Sequence, residues 1–182
     1  PVGKGAVVRY RSPESVVSEI ELLLAQGIDH FHFCDSEFNH PESHARGICQ
    51  ELIDRDLGER IRWYAYCCSV PFSDELATLF LKSGCGGINF GVDSGSDRML
   101  HVLGRNFRVA DLQHTAEVCH RNELIFLFDL LLGGPGETRE SVKETIQLMK
   151  KLSPNRVGTV LGIRIFQGTK LASMVTGEGP LS

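Results

Sequence analysis

The chain has 182 residues, 42% of them apolar, and a formal net charge of −4 from 19 Lys and Arg against 23 Asp and Glu. That length supports one substantial core and leaves no room for two full-sized domains, so residues 1–182 are read as one domain. No run of like charge tracks a phosphate backbone, which argues against nucleic acid as a partner, and no stretch reaches the roughly 20 apolar residues of a membrane span.

The sequence opens at Pro1 with neither a methionine nor an apolar signal segment, and is expected to be a piece of a longer protein. Its six cysteines, at 34, 49, 67, 68, 85 and 119, show no CxxC spacing and are too scattered for a disulfide scaffold, which suits a reducing cytoplasm. Cys67 and Cys68 are strand neighbours on opposite faces and are read as ordinary strand residues rather than as a shared metal site.

Ser12-Pro13-Glu14 supplies a capping hydroxyl, a first-turn proline and an early acid, and Val16, Val17, Ile20, Leu23 and Leu24 then recur at helical spacing as far as about Gln26. A short strand follows over His30 to Cys34, and Pro41-Glu42 opens a helix reaching about Leu57. Ile61 to Cys68 reads as the next strand, with a helix capped by Ser73 and stopped by Gly84 behind it. Strands over Ile88 to Gly91 and Ile125 to Leu132 flank a helix over Val109 to Arg121, and Thr138 caps a helix reaching about Leu152. A last strand is expected over about Val157 to Ile165.

Strands thus recur about every 25 to 40 residues with a helix between each pair, the mark of βαβ units and a parallel sheet. The expected fold is α/β, a partial (βα)6 TIM-like barrel with about five βα units present. An open dinucleotide-binding sheet is disfavoured, because no glycine fingerprint follows a first strand.

In such folds ligands meet the carboxyl ends of the strands. The first exit, Asp35-Ser36-Glu37, offers two carboxylates able to hold an ammonium or complete a metal's coordination, or else to sit solvated. Asp93, Ser94 and Ser96 combine acid and hydroxyls on a tight backbone, suited to ribose or to capping a helix. Gly133, Gly134 and Gly136 let a ligand approach bare backbone, while Glu137 is placed to position an amine or to cap the next helix. Tyr64 and Tyr66 share one strand face and Trp63 the other; Tyr66, nearer the exit, is the candidate substrate contact. Arg105 and Arg108 are placed to meet a carboxylate, and Arg164, read inside the last strand, needs a partner or an interior position. His32, within a strand, is read as a packed side chain, and His40 and His44 as surface residues.

Taken in order, Arg9-Tyr10-Arg11-Ser12-Pro13-Glu14, Phe33-Cys34-Asp35-Ser36-Glu37-Phe38-Asn39, Gly91-Val92-Asp93-Ser94-Gly95-Ser96 and Gly133-Gly134-Pro135-Gly136-Glu137-Thr138 resemble the radical S-adenosylmethionine superfamily. The match is closest to its cobalamin-binding subgroup, which the segment from Pro154 through Gly162-Ile163-Arg164-Ile165 to Ala172 also resembles. The resemblance implies a 4Fe-4S cluster, S-adenosylmethionine and cobalamin as cofactors. It places Asp35 to Glu37 near the methionine amine, Asp93, Ser94 and Ser96 at the ribose, and the Gly133 to Glu137 loop with Leu161 to Ile163 and Arg164 around adenine. The family's CxxxCxxC loop is absent, so the cluster thiolates and a cobalamin domain are expected upstream in the parent chain.

The activity so implied is methyl transfer from S-adenosylmethionine to an unactivated carbon of a small molecule, with tryptophan C2 as one candidate and a reductant as partner. Glu37 and Tyr66 are the catalytic candidates, and Glu37 is also a candidate metal ligand: were it to occupy the cluster's free iron, S-adenosylmethionine would serve as a polar methyl donor. Other radical outcomes, namely ring closure, oxidation or methylthiolation, and a degenerate barrel kept as a binding module remain the alternatives.

Overall fold

A computed structural model of the chain describes residues 9–175. Five strands, β1 (His30–Phe33), β2 (Arg62–Cys67), β3 (Cys85–Asp93), β4 (Phe126–Leu132) and β5 (Arg156–Leu161), form one parallel sheet in the order β1-β2-β3-β4-β5. Each connection carries helix: α1 (Pro13–Leu24) before β1, then α2 (Glu42–Asp54), α3 (Asp74–Lys82), α4 (Asp97–Val102) with α5 (Val109–Arg121), α6 (Arg139–Leu152), and α7 (Lys170–Val175) after β5. Strand neighbours in sequence are strand neighbours in space, which is the partial barrel expected.

The helices begin where the caps stand. The Ser12, Ser73 and Thr138 hydroxyls accept from the backbone N–H groups of Ser15, Leu76 and Ser141, and Pro13 starts α1. Among the described residues no helix is long and apolar enough to cross a membrane.

Strand alternation sorts the side chains onto two unlike faces. Trp63, Ala65 and Cys67 of β2, Ile88, Phe90 and Val92 of β3, and Phe126, Phe128 and Leu130 of β4 are buried under the helices. The concave face carries His32, Tyr64, Tyr66, Asn89, Asp93 and Asp129 and is open. An aromatic chain runs through the covered side: Phe80 meets Phe38, Trp63 and Phe72 at ring-centroid distances of 5.8, 5.2 and 6.1 Å, and Phe72 meets Phe90 at 5.0 Å. The Trp63 indole N–H donates to the Ser83 carbonyl at 3.0 Å, so this large ring is buried without an orphaned donor.

Several boundaries differ from the sequence reading. β3 starts at Cys85, because Gly86 and Gly87 join the ladder through a bulge opposite Trp63 and Tyr64, although glycine is a poor strand former. β5 stops at Leu161, where Gly162 takes φ +82°, so Arg164 lies beyond the strand and is exposed. The short helices α4 and α7 have too few turns to show a period. His32 is exposed on the concave face with its ring 5.5 Å from that of Tyr66, and is not a packed core residue.

Phe80→Ala is expected to cost about 3–5 kcal/mol of unfolding free energy, as for other buried aromatic truncations. Leu22→Ala, at a position 67% exposed, is expected to stay within about 0.5 kcal/mol. Denaturant titration of both variants checks the pair, and equal losses would contradict the assignment of the core.

Candidate functional site

The strand exits converge at the carboxyl edge of the sheet, and each is held by a different device. Asn39 stitches the first two: its side-chain N–H donates to the Cys68 carbonyl at 2.9 Å and its carbonyl accepts from the Cys68 N–H at 2.8 Å, while the Phe38 N–H donates to the Tyr66 carbonyl at 2.7 Å. Asn39 and Phe38 are both buried, so the loop carrying Asp35, Ser36 and Glu37 is pinned at its far end. Asp35 and Ser36 are exposed and Glu37 is half-buried beside Cys68, whose thiol is pushed up by burial and, further down, by the Glu37 charge.

The third exit is strained and then anchored. Asp93 has φ +61°, a conformation that costs a non-glycine residue roughly 1–3 kcal/mol, inside a tight turn closed by the Ser94 N–H donating to the Val92 carbonyl at 2.7 Å. Thr145 of α6 holds that turn. Its hydroxyl donates to the Ser141 carbonyl at 2.9 Å and accepts from the Gly95 N–H at 2.9 Å, which leaves the Ser94 hydroxyl, 3.2 Å away, as a second donor to it. Ser94 in turn accepts from the Ser96 N–H at 3.2 Å. Gly95 fits because any Cβ there would sit 2.8 Å from the Thr145 Cα.

This accounting corrects the expectation for Ser94 and Ser96. Both are buried, and the Ser94 hydroxyl spends its hydrogen on α6 rather than facing the cleft. Asp93 is the side chain that the turn presents. Arg105 grips its Oδ2 through Nε at 2.6 Å and a terminal nitrogen at 2.5 Å, which leaves Oδ1 outside the pair. Arg105 is thereby committed, and Arg108 is exposed at the start of α5.

At the fourth exit Gly133 and Gly136 take φ +90° and +74°, conformations that glycine reaches without strain. The Gly133 N–H donates to Glu137 Oε2, so Glu137 closes its own loop, and Thr138 rather than Glu137 caps α6. The other oxygen, Oε1, is buried with no hydrogen-bond partner. Gly134 is buried, and a Cβ there would lie 3.1 Å from the Ile163 side chain, so the loop and the segment after β5 are in contact. Leu161 is 80% exposed and shares the helix-side register with Leu132.

A cleft of about 380 Å³ opens between the exits of β3, β4 and β5, lined by Asp93, Arg105, Leu131, Pro135 and Ile163, with Lys170 and Met174 of α7 on its far wall. It offers apolar walls with a few polar groups, the usual make-up of a small-molecule site. Among the described residues no three His, Cys, Asp or Glu side chains are grouped to hold a metal ion. Burial pushes the Cys49 and Cys119 thiols up to about 12, and raises those of Cys67 and Cys85 as well, so these four are packing residues and not thiolate ligands.

The profile of the radical SAM superfamily matches residues 3–149. The chain belongs to that superfamily. It is 34% identical, over an alignment of 190 positions covering 98% of this chain and 32% of the relative, to tryptophan 2-C-methyltransferase of Streptomyces laurentii. An uncharacterized methyltransferase of Pyrococcus horikoshii is 29% identical over 79% of the chain and 31% of the relative. Among solved structures, the radical S-adenosylmethionine methyltransferase TsrM of Kitasatospora setae, with cobalamin and a [4Fe-4S] cluster bound, superposes with a TM-score of 0.83 at 30% identity, over 92% of this chain and 32% of that one. The same enzyme has been solved with tryptophan substrate and an S-adenosylmethionine analogue bound. The chain spans about a third of the length of these relatives.

One site residue escaped the sequence reading. Asp129, the single acid of β4, lies on the concave face in register with Gly91 and Gly158. Burial, and then the negative charge of Asp93, push its carboxyl above the ordinary carboxylate value. The folded protein therefore binds this proton more tightly than the unfolded chain does. The resulting penalty is absent below the ordinary value of about 4 and grows as pH rises through the raised one. Asp129→Asn is expected to raise the thermal midpoint of the ligand-free protein at neutral pH and to lose that advantage at low pH; a pH-independent difference between variant and wild type would contradict this.

Proposed function

We propose that this chain is the S-adenosylmethionine-binding barrel of a cobalamin-dependent radical SAM methyltransferase that acts on an unactivated carbon of a small molecule, tryptophan C2 being the leading candidate. The observation that carries the reading is the 34% identity to tryptophan 2-C-methyltransferase across 98% of this chain, with the exits of β3, β4 and β5 gathered around one cleft.

The cleft suits the adenosine part of S-adenosylmethionine. Asp93 Oδ1 is left over by Arg105 as an acceptor for a ribose hydroxyl. Leu131, Pro135 and Ile163 give the cleft apolar surface that suits a flat base, and the orphaned Oε1 of Glu137, in the loop that Gly133, Gly134 and Gly136 shape, calls for an N–H donor such as an exocyclic amine. Ser94 and Ser96 support this contact from behind, while Leu161, on the helix-side register, and Arg164, exposed beyond β5, stand outside the cleft lining. Asp35, Ser36 and Glu37 face the methionine end, where a carboxylate attracts the ammonium. Tyr66, 41% exposed on the concave face, is available to touch substrate, and the apolar walls limit water at the reacting centre.

The described residues do not fit a cluster, so its thiolates must come from elsewhere in the full-length protein, as must most of the corrin contacts. A cobalamin domain in the same parent chain and an external reductant complete the proposed assembly, and six free thiols suit a reducing cytoplasm.

The full-length protein, purified without oxygen and reconstituted with iron, sulfide and cobalamin, is expected to convert tryptophan to a C-methylated product in the presence of S-adenosylmethionine. Mass spectrometry with methyl-labelled S-adenosylmethionine reads the transfer. Absence of bound corrin, together with deoxyadenosine formation but no methylated product, would overturn the methyltransferase reading.

A further inference from the structure

We propose that a second cavity, formed by α4 and the loop from it into α5, is a site for a phosphate-type oxyanion whose binding strengthens that of the nucleoside ligand in the cleft. The coupling rests on the reading of the cleft as an S-adenosylmethionine site, whereas the anion site stands on its own residues.

This cavity, of about 490 Å³, is lined by Asp97, Arg98, His101, Arg105, Asn106 and Arg108 around the buried Phe107. It gathers three arginines in a protein whose net charge is −4. Arg105 is neutralised by Asp93, which leaves Arg98 and Arg108 against one carboxylate, Asp97. Asp97 Oδ1 in turn accepts the Val109 N–H at 2.8 Å, so that acid is tied to the start of α5. Arg108 is the N-cap residue of this 13-residue helix, whose positive end therefore lies at the cavity wall.

Donors outnumber acceptors here. Among the described residues nothing accepts from the Arg108 guanidinium, the Asn106 amide or the His101 ring, and all three residues are exposed. Arg98 gives one terminal nitrogen to the Gly136 carbonyl at 2.8 Å, and Arg105 gives Nε and one terminal nitrogen to Asp93. Each keeps a second terminal nitrogen with no acceptor among the described residues. Planar guanidinium forks match the oxygens of a phosphate two at a time, which an alcohol cannot offer. The volume exceeds what a bare oxyanion fills, so a phosphate monoester of a small metabolite suits it better than inorganic phosphate. His101 and Arg105 also line the cleft, and the partners held by Arg98 and Arg105 belong to the glycine loop and to Asp93. An oxyanion on the free nitrogens fixes both arginines without displacing those partners, and so orders the cleft before the nucleoside arrives.

The test uses the full-length holoenzyme as wild type, Arg108→Gln and Arg98→Gln, with inorganic phosphate and glycerol 3-phosphate as probes at an ionic strength held constant with chloride. Equilibrium dialysis is expected to show saturable binding of both to wild type, with glycerol 3-phosphate the tighter, and a loss of about tenfold in Arg108→Gln. Inorganic phosphate as the tighter probe keeps the site and overturns the monoester assignment. On addition of the tighter anion alone, hydrogen exchange in residues 133–137 is expected to slow in wild type and not in Arg98→Gln. The same anion is expected to strengthen S-adenosylmethionine binding at least about fivefold, and S-adenosylmethionine to strengthen the anion by the same factor. Without anion, Arg108→Gln is expected to bind S-adenosylmethionine within about twofold of wild type, which also reports that the variant is folded. No saturable anion binding by wild type, or binding unchanged in Arg108→Gln, overturns the proposal. So does a large loss of anion-free S-adenosylmethionine affinity in Arg108→Gln, because it would place that arginine at the cofactor. Unchanged exchange at 133–137, or S-adenosylmethionine affinity indifferent to the anion, overturns the coupling. Should S-adenosylmethionine fail to bind while the anion binds and slows exchange as stated, the reading of the cleft falls and the anion site stands.

Discussion

The hydroxyl of Thr145 ties the end of the central strand to the helix that follows the next one. It donates along its own helix and accepts from the turn after β3, so that the strained Asp93 backbone is bought with bonds made some 50 residues away in sequence. The turn has no freedom to relax, because Gly95 lies against the Thr145 backbone. Asp93 is consequently aimed at Arg105, and the pair forms one wall of the cleft. The glycine loop after β4 forms the adjoining wall, and α6, which receives the Thr145 contact, starts directly behind that loop. A single docked turn therefore sets the relation between two exits that wall the cleft.

The rest of the site follows from the unequal faces of the sheet. Apolar residues at alternate positions bury one face beneath helices, and the same alternation delivers His32, Tyr66, Asn89 and Asp129 to the open side. Glycines at 91 and 158 keep that side from filling with its own side chains. The concave side thus keeps open space beside polar groups, while the packing that stabilises the sheet lies on the covered face with its chain of aromatic rings.

Much of this was legible in the sequence, for reasons that can be named. The caps at Ser12, Ser73 and Thr138 and the change from helical to strand periodicity located five strands and the five longer helices, and the strand exits were recognisable as the polar or glycine-rich segments between them. What was hidden depended on distant partners. Ser94 looks like a ligand hydroxyl until Thr145 is seen to take its hydrogen. The reading of His32 as packed rested on its place inside a strand, whereas its side chain falls on the concave face and is exposed. Asp129 reads as a mere interruption of an apolar strand, and its significance appears only with two glycines beside it. Arg164 was misplaced by extending β5 through Gly162, whose positive φ ends the strand.

The claim that the strand exits form the S-adenosylmethionine site is tested most directly by a hydrogen-exchange footprint on the reconstituted full-length protein, with and without S-adenosylmethionine. The account predicts slowed exchange in peptides covering residues 93–96 and 133–137, with little change in the connections that enter β2 and β4 at the opposite edge of the sheet. Protection confined to that opposite edge, or unchanged exchange at both exits when the ligand is saturating, would contradict it.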